Sequence, residues 1–488
     1  MTYTNAMKKS ICILFLFFSC AAYSQNCNCD SNFLWMKSYM QKNYPGFKAK
    51  VNATTLASYN ANSKKYEAII QKVNKPAYCE YYLLKWLQFF KDKHIQIKYD
   101  LGNSIEENDT TQIRKLNANA EIIPIDSIQF VKKLQKQKGK TIEGIYTEDS
   151  TYTIAIVKSK NIFRDYAGVI LSSRTKLWRK GEVKLELKQT SDSTFDVISY
   201  WRNHTFTIDY LPFKLYKNGD VDALSWKRIY PKNIENRDIA KQFEWADKYD
   251  ADYKNLSADI SFFKIHSFDC AYASEIDSVV KANMNQIKKH KYMIIDLRNN
   301  FGGCDYSYSS LVPILYSNPV IEIGVDVYST PDNIKASEEN AKNPEFPLDI
   351  KKEIDSIISV MQTHPNQFVN IDNNDTIKMD SIMPYPQKIV VLANRYCGST
   401  TEQFLLYAKD CKKVTLMGEN TDGELDYSNL IPVAFPYDLP GTFYYPYSLS
   451  RRIALHQGID GIGIAPTIKL SQNTDWIKEA EKYLLQAK

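Results

Sequence analysis

A serine at position 399 stands in the run Cys397-Gly398-Ser399-Thr400-Thr401-Glu402, directly after the apolar stretch Lys388 to Ala393 and at the expected start of a helix. A hydroxyl in that place lies among unpaired backbone N–H groups at the positive end of the helix dipole, a setting that stabilises an oxyanion. It suits the nucleophile of an acyl transfer. The same spacing is also that of a capping box, a serine with a glutamate three residues on, so the segment reads equally as a helix cap. A second segment, Asp296-Leu297-Arg298-Asn299-Asn300-Phe301-Gly302-Gly303, ends an apolar run in Asp-x-Arg and follows it with paired glycines. Gly302 and Gly303 either serve a turn or supply N–H groups to an oxyanion hole.

These residues need rigid elements to hold them. From about 256 onward, strands and helices alternate. Strands are expected at Ile260 to Ile265, Lys291 to Asp296, Lys388 to Ala393 and Val414 to Met417, with helices over Ala273 to His290 and from Ser399 to about Asp410. Continuous apolar strands alternating with helices predict an α/β core whose sheet is covered on both faces. Within it, 330–385 is polar and interrupted by prolines, with a helical stretch near Ile350 to Met361, and reads as a flap or a solvated insertion. Ahead of this catalytic region, 101–255 changes to short alternating runs such as Thr151 to Val157, Val183 to Leu187 and Phe195 to Tyr200, which predict a β-rich domain. Trp201 and Tyr210 are read there as sheet packing. Residues 25–100 form an N-terminal helical region, where Tyr81, Leu83, Leu84, Trp86, Leu87, Phe89 and Phe90 recur at helical spacing as a core stripe.

The first 24 residues read as a cleaved secretory signal: Lys8-Lys9, the short apolar stretch Ile11 to Phe18, and Ala22-Tyr23-Ser24 before the cut. The stretch is too short to span a bilayer. Met7 offers a second start, and Cys20 raises the alternative of a lipid anchor. The expected place is therefore the periplasm or the medium. The chain has 488 residues and a formal net charge of only +6, with no long basic tract, so nucleic acid is not an expected partner and no transmembrane segment is expected. Seven cysteines follow the leader, and a bridge from Cys27 or Cys29 to Cys79 is the first pairing expected in an oxidising compartment. Their other reading is as small buried hydrophobes. Cys27-Asn28-Cys29 lacks the second ligand pair of a zinc site, so no metal or other cofactor is expected.

Taken together, the two glycine-bearing segments resemble the C-terminal processing (tail-specific) serine peptidases, the family that includes the tricorn core protease. Its Asp-Leu-Arg-Gly-Asn-Gly-Gly-Gly signature is matched by Asp296 to Gly303, with Asn299 and Phe301 in place of two glycines. Its second signature is matched by Asn394, Gly398-Ser399-Thr400-Thr401-Glu402, Gly418-Glu419 and Thr421-Asp422-Gly423, and its closing motif by Gly463-Ile464-Ala465-Pro466-Thr467. The resemblance implies a ClpP/crotonase-like core, Ser399 as nucleophile, and an oxyanion hole from Gly302 or Gly303 with Thr400. Many members activate the serine with a lysine, where this chain has Glu424; a glutamate cannot be that amine base. The tricorn branch instead takes its base from a histidine in the N-terminal region. His94 falls where that residue would, just past the amphipathic helix, and an imidazole titrating near neutrality can accept the serine proton. A helix-end histidine favoured by the dipole is the plain alternative. The branch also has a late glutamate orienting its site, for which Asp460 is the nearest counterpart and Glu424 a rival. His456 is a competing base, and His266 is read as packing.

With the leader, the resemblance implies an exported Ser/His endopeptidase acting on peptides or unfolded proteins. Members of the family usually carry a carboxylate-gripping PDZ domain, but 101–255 has no Gly-Leu-Gly-Phe-like loop and its β-rich domain is expected in that place. The alternatives are a catalytically inactive binding protein on the same fold, which Glu424 favours, and an esterase.

Overall fold

The computed structural model describes residues 27–488 apart from 119, 210, 233–250, 345, 372–373, 473 and 487–488. The leader expected over 1–24, with Met7 and Cys20, and the packing role of Tyr210 lie outside the described residues.

The sheet that carries the two signature segments has six strands, in the order Asp252–Asn255, Ile260–Lys264, Tyr292–Asp296, Lys388–Ala393, Val414–Gly418 and Ile468–Lys469. The first pair is antiparallel and every later pair is parallel. Side chains alternate between faces along each strand, and both faces are apolar. Met293, Ile295, Ile389, Val391 and Leu416 pack with Ile276, Val280, Phe404 and Leu405 of the helices Ala273–Ile287 and Thr400–Asp410. Tyr292, Ile294, Val390, Leu392 and Met417 pack on the other side with Trp476, Ala480 and Leu484 of the last helix, Trp476–Gln486. Each fully buried aliphatic side chain contributes roughly 1.5–3 kcal/mol, so the double cover fixes the strand ends from which the site loops leave.

The N-terminal helices Cys29–Asn43, Leu56–Ile70 and Pro76–Leu87 share one core with a second, five-stranded sheet. That sheet joins Gln96–Lys98, Val325–Tyr328, Phe368–Asn370, Tyr427–Ala434 and Thr442–Ser450. Gln96–Lys98, two residues after His94, pairs antiparallel with Thr442 to Tyr444. A disulfide between Cys29 and Cys79 ties the first of these helices to the Pro76–Leu87 helix, while Cys27 stays a buried free thiol. A second disulfide joins Cys270 to Cys304, and Cys397 and Cys411 are buried and free.

The polar stretch 330–385 is built into this framework. Its helices Pro331–Asn340 and Leu348–Thr363 bury Ala336 and Met361 in the N-terminal core, Phe368–Asn370 forms an edge of the five-stranded sheet, and Asp375–Ile377 pairs with Val320–Glu322. Its polarity reflects a one-sided burial, in which only alternate or every third or fourth residue faces inward.

Residues 144–230 form a nine-stranded antiparallel sheet, with the helices Thr110–Ala118 and Ser127–Lys136 before it. One face buries Tyr146, Ile154, Ile156, Leu185 and Leu187, and the other buries Ala155, Val157 and Val169 under Phe130 and Leu134. Among the described residues no helix is long and apolar enough to cross a membrane.

Candidate active site

The strand Lys388–Ala393 delivers the chain to Asn394, and the loop 394–398 turns it into the helix Thr400–Asp410. Ser399 sits at the junction with φ 53° and ψ −126°, a conformation that L residues rarely adopt. Its N–H donates to the Glu424 carbonyl at 3.0 Å, and its own carbonyl accepts from the N–H of Glu402 at 2.7 Å. The capping-box reading does not hold: the Ser399 side chain caps nothing on its helix. The Glu402 carboxylate turns the other way and accepts from the amides of Gly423 and Glu424, each at 2.8 Å, and from the Thr421 hydroxyl. Ser399 Oγ is thereby left for another partner.

That partner is His94. Its Nε2 lies 2.9 Å from Ser399 Oγ, and its Nδ1 lies 2.5 Å from the Tyr427 carbonyl. A carbonyl only accepts, so Nδ1 carries the proton and Nε2 presents a lone pair to the serine hydroxyl. The loop bearing His94 is fixed from three sides. The His94 N–H donates to Asp92 Oδ1 at 3.0 Å, Tyr44 donates to Asp92 Oδ2 at 2.7 Å, and Lys93 pairs with the Asp422 carboxylate. His94 is only 4% exposed. Burial lowers its pKa to about 4, opposed by the Tyr427 carbonyl, so it is neutral at physiological pH.

Glu424 Oε1 lies 3.9 Å from His94 Nε2. Burial, and then the negative charges of Asp422 and Asp92, push its carboxyl well above the usual range. The histidine is unprotonated at neutral pH, and burial favours the neutral form of the carboxyl, so the environment disfavours an ion pair between the two. Asp460 stands further back. Its Oδ1 accepts from the amides of Leu425 and Asp426, at 2.9 and 2.7 Å, while Asp426 Oδ2 accepts from the amides of Ile459 and Asp460. Among the described residues Asp460 makes no hydrogen bond to His94 or Ser399. The two aspartates lock together the backbone that leads into Tyr427.

The glycine segment reaches Ser399 from the neighbouring strand. Gly302 has φ 103°, and a Cβ there would lie 2.7 Å from the Gly398 carbonyl oxygen, 2.9 Å from Ser399 Cβ and 3.0 Å from the Thr400 nitrogen. Glycine is required for this approach. The N–H of Gly302, expected as an oxyanion donor, is instead given to Asn300 Oδ1 at 3.0 Å. The amides of Gly303 and Thr400 have no acceptor among the described residues, and the Thr400 hydroxyl donates to the Gly303 carbonyl at 2.8 Å. The available donors next to Ser399 are thus Gly303 and Thr400.

Two asparagines of the signature segments, to which the sequence assigned no role, organise both loops. Asn300, fully buried, accepts at Oδ1 from the amides of Phe268 and Gly302 and from the Thr401 hydroxyl. Asn394 accepts from the Asn299 amide at 3.0 Å and donates to Asn299 Oδ1 at 2.8 Å. Both stand in the signature segments; their sequence gave no sign of which amide atoms would face which backbone groups. At the root of the glycine segment Asp296 is buried, which alone would raise its pKa, but Lys264 and Arg298 outweigh this and hold it down at about 2. His456 lies in an exposed turn and makes no hydrogen bond to Ser399, and His266 is half-buried just past the strand Ile260–Lys264. Among the described residues, the only cluster with metal-ligand geometry is Cys27, Cys29 and Cys79, two of which are joined to each other.

Residues 259–470 match peptidase family S41. The match spans Ser399 and the glycine segment but not His94. No curated protein matches the sequence. Among solved structures the chain is similar to mature CPAF, at 14% identity and a TM-score of 0.47 over 94% of this chain and 96% of that one. It is also similar to the photosystem II D1 C-terminal processing protease, at 12% identity and a TM-score of 0.34 over 91% and 94% of the two chains. The tricorn protease aligns at 10% identity and a TM-score of 0.37, over 94% of this chain and 37% of its own.

Proposed function

We propose that this chain is a serine endopeptidase that cleaves peptides or unfolded proteins through an acyl-enzyme, with Ser399 as nucleophile and His94 as general base. The observation that carries the reading is the 2.9 Å contact between Ser399 Oγ and an Nε2 whose tautomer is set by the Tyr427 carbonyl. In the first half-reaction Ser399 Oγ attacks the scissile carbonyl while its proton passes to His94 Nε2. The amides of Gly303 and Thr400 receive the developing oxyanion. His94 then returns the proton to the leaving amine, and water repeats the sequence in reverse roles to free the acid. Glu424 stands beside the imidazole in surroundings that favour its neutral form, and it does not act as the base. Asp460 is a positioning residue, acting through the 425–427 backbone that presents the Tyr427 carbonyl.

Export belongs to the same proposal. It is supported by the basic and apolar leader and by the disulfides Cys29–Cys79 and Cys270–Cys304, which persist in oxidising compartments. The test is hydrolysis of an unfolded protein substrate such as casein. Both Ser399→Ala and His94→Ala should abolish turnover while leaving the melting temperature close to that of the parent. Cleavage that survives Ser399→Ala would end the proposal.

A further inference from the structure

Phe301 is 40% exposed although it lies between the buried Asn300 and Gly302, where an added Cβ would stand 2.9 Å from that of Ser399. The turn does not require an aromatic ring there, since the signature that Asp296 to Gly303 resembles has glycine at this position. The Phe301 ring faces that of Tyr396, with centroids 6.2 Å apart and planes inclined at 59°. Tyr396 precedes Ser399 by three residues, is half-buried, and carries the Arg395 guanidinium 5.1 Å from its ring centroid. The two aromatic residues therefore come one from each of the loops that build the site. The Asn394–Asn299 amide pair clamps those loops together at 2.8 Å, and the Tyr396 N–H donates to Asn394 Oδ1 at 3.2 Å. The nine-stranded sheet reaches the same place: Tyr216, in the turn after Phe213–Leu215, has its phenol raised by burial, then by Asp222 and Tyr396, with Arg395 opposing.

His94, which contacts Ser399 Oγ, and Glu424, which stands beside His94, are both polar. A peptide passing over the nucleophile in extended form presents successive side chains in opposite directions, so the residues on either side of the scissile bond meet opposite walls of the site. Aromatic rings held in place by their loops bind apolar and aromatic side chains by area burial and by edge-to-face contact, at little entropic cost. Resting on the peptidase reading above, we infer that Phe301 and Tyr396 form the subsite that receives a large apolar side chain, aromatic or branched aliphatic, next to the scissile bond. Phe301 is thus a specificity-determining residue.

The experiment uses the full chain and two sets of fluorogenic peptides, identical except for Phe, Leu, Ala or Asp on one side of the cleaved bond or the other. At one of those two positions kcat/KM for the Phe or Leu peptide should exceed that for the Asp peptide by at least about tenfold, mainly through KM. In Phe301→Gly that ratio should fall below about threefold, whereas Phe301→Leu should keep most of the preference for Leu. Because each ratio compares two peptides on one preparation, partial loss of folded enzyme cancels from it. A ratio unchanged in both Phe301→Gly and Tyr396→Ala, or a preference for Asp drawn by Arg395, would overturn the subsite. A parent enzyme that cleaves no peptide and takes no fluorophosphonate on Ser399 would overturn the peptidase reading, and the subsite with it.

Discussion

The carbonyl of Tyr427 lies 2.5 Å from Nδ1 of His94 and so decides which ring nitrogen faces Ser399. A carboxylate in that place would orient the ring equally well but would also favour the imidazolium. A neutral carbonyl orients it with less electrostatic pull, and burial then keeps the ring uncharged down to about pH 4.

The pH dependence follows with its sign. His94 must be unprotonated to accept the serine proton, so activity is lost as pH falls through about 4, not through the usual histidine range near 6.5. A kcat/KM profile on an uncharged ester substrate should stay flat from pH 7 to pH 5 before dropping. An acid limb centred near 6.5 would mean that the catalytic base is not this buried imidazole.

Burial and the negative charges of Asp422 and Asp92 favour the neutral form of the Glu424 carboxyl, so an amide is its closest replacement beside His94. Glu424→Gln is expected to hold kcat/KM at pH 7 within about threefold of the parent. A loss of more than about tenfold would indicate that the ionised carboxylate takes part, as in a charge-assisted histidine.

At Gly302 the prediction is steric. The φ of 103° and the 2.7 Å approach to the Gly398 carbonyl leave no room for a methyl group, so Gly302→Ala must push the glycine segment away from Ser399. Displacement by about 1 Å costs on the order of 100-fold in rate. Peptide hydrolysis should fall by that much or more, and a near-parental rate would show that the segment has no part in the oxyanion hole.

Glu80 gives a stability prediction away from the site. It is buried, and desolvation raises its pKa from 4.5 to about 7 despite the hydrogen bond from the Gly441 amide. A carboxyl raised on folding contributes stability that is complete below pH 4.5 and lost as pH rises through about 7. The loss amounts to roughly 3 kcal/mol if the shift is fully expressed. Compared with Glu80→Gln by thermal melts, the parent should lose ground steadily between pH 5 and pH 8. A constant difference between the two proteins across that range would contradict the shift.

Much of the framework was legible because its signals are local. The strand Lys388–Ala393 has the bounds expected from its apolar run, and Tyr292–Asp296 begins one residue inside its expected start. The alternating runs around 151–157, 183–187 and 195–200 became the strands Tyr152–Lys158, Val183–Gln189 and Thr194–Tyr200. What was not legible depends on long-range partners. Glu402 looked like a capping residue, but its carboxylate holds the amides of Gly423 and Glu424, 21 and 22 residues away. Gly302 looked like a donor, but Asn300, two residues back, takes its N–H. The interval 330–385 was too polar to suggest a sheet edge, because Phe368–Asn370 buries only Val369. His94 entered through resemblance alone, since nothing in its neighbours signals a serine 305 residues later.

The most direct test of the central claim is the rate of Ser399 modification by a fluorophosphonate, followed by intact mass and by sequencing of the labelled peptide. The proposal predicts one adduct per chain on Ser399, no adduct in Ser399→Ala, and a rate at least about 100-fold slower in His94→Ala. A silent Ser399 in the folded parent, or a labelling rate that His94→Ala leaves unchanged, would contradict it.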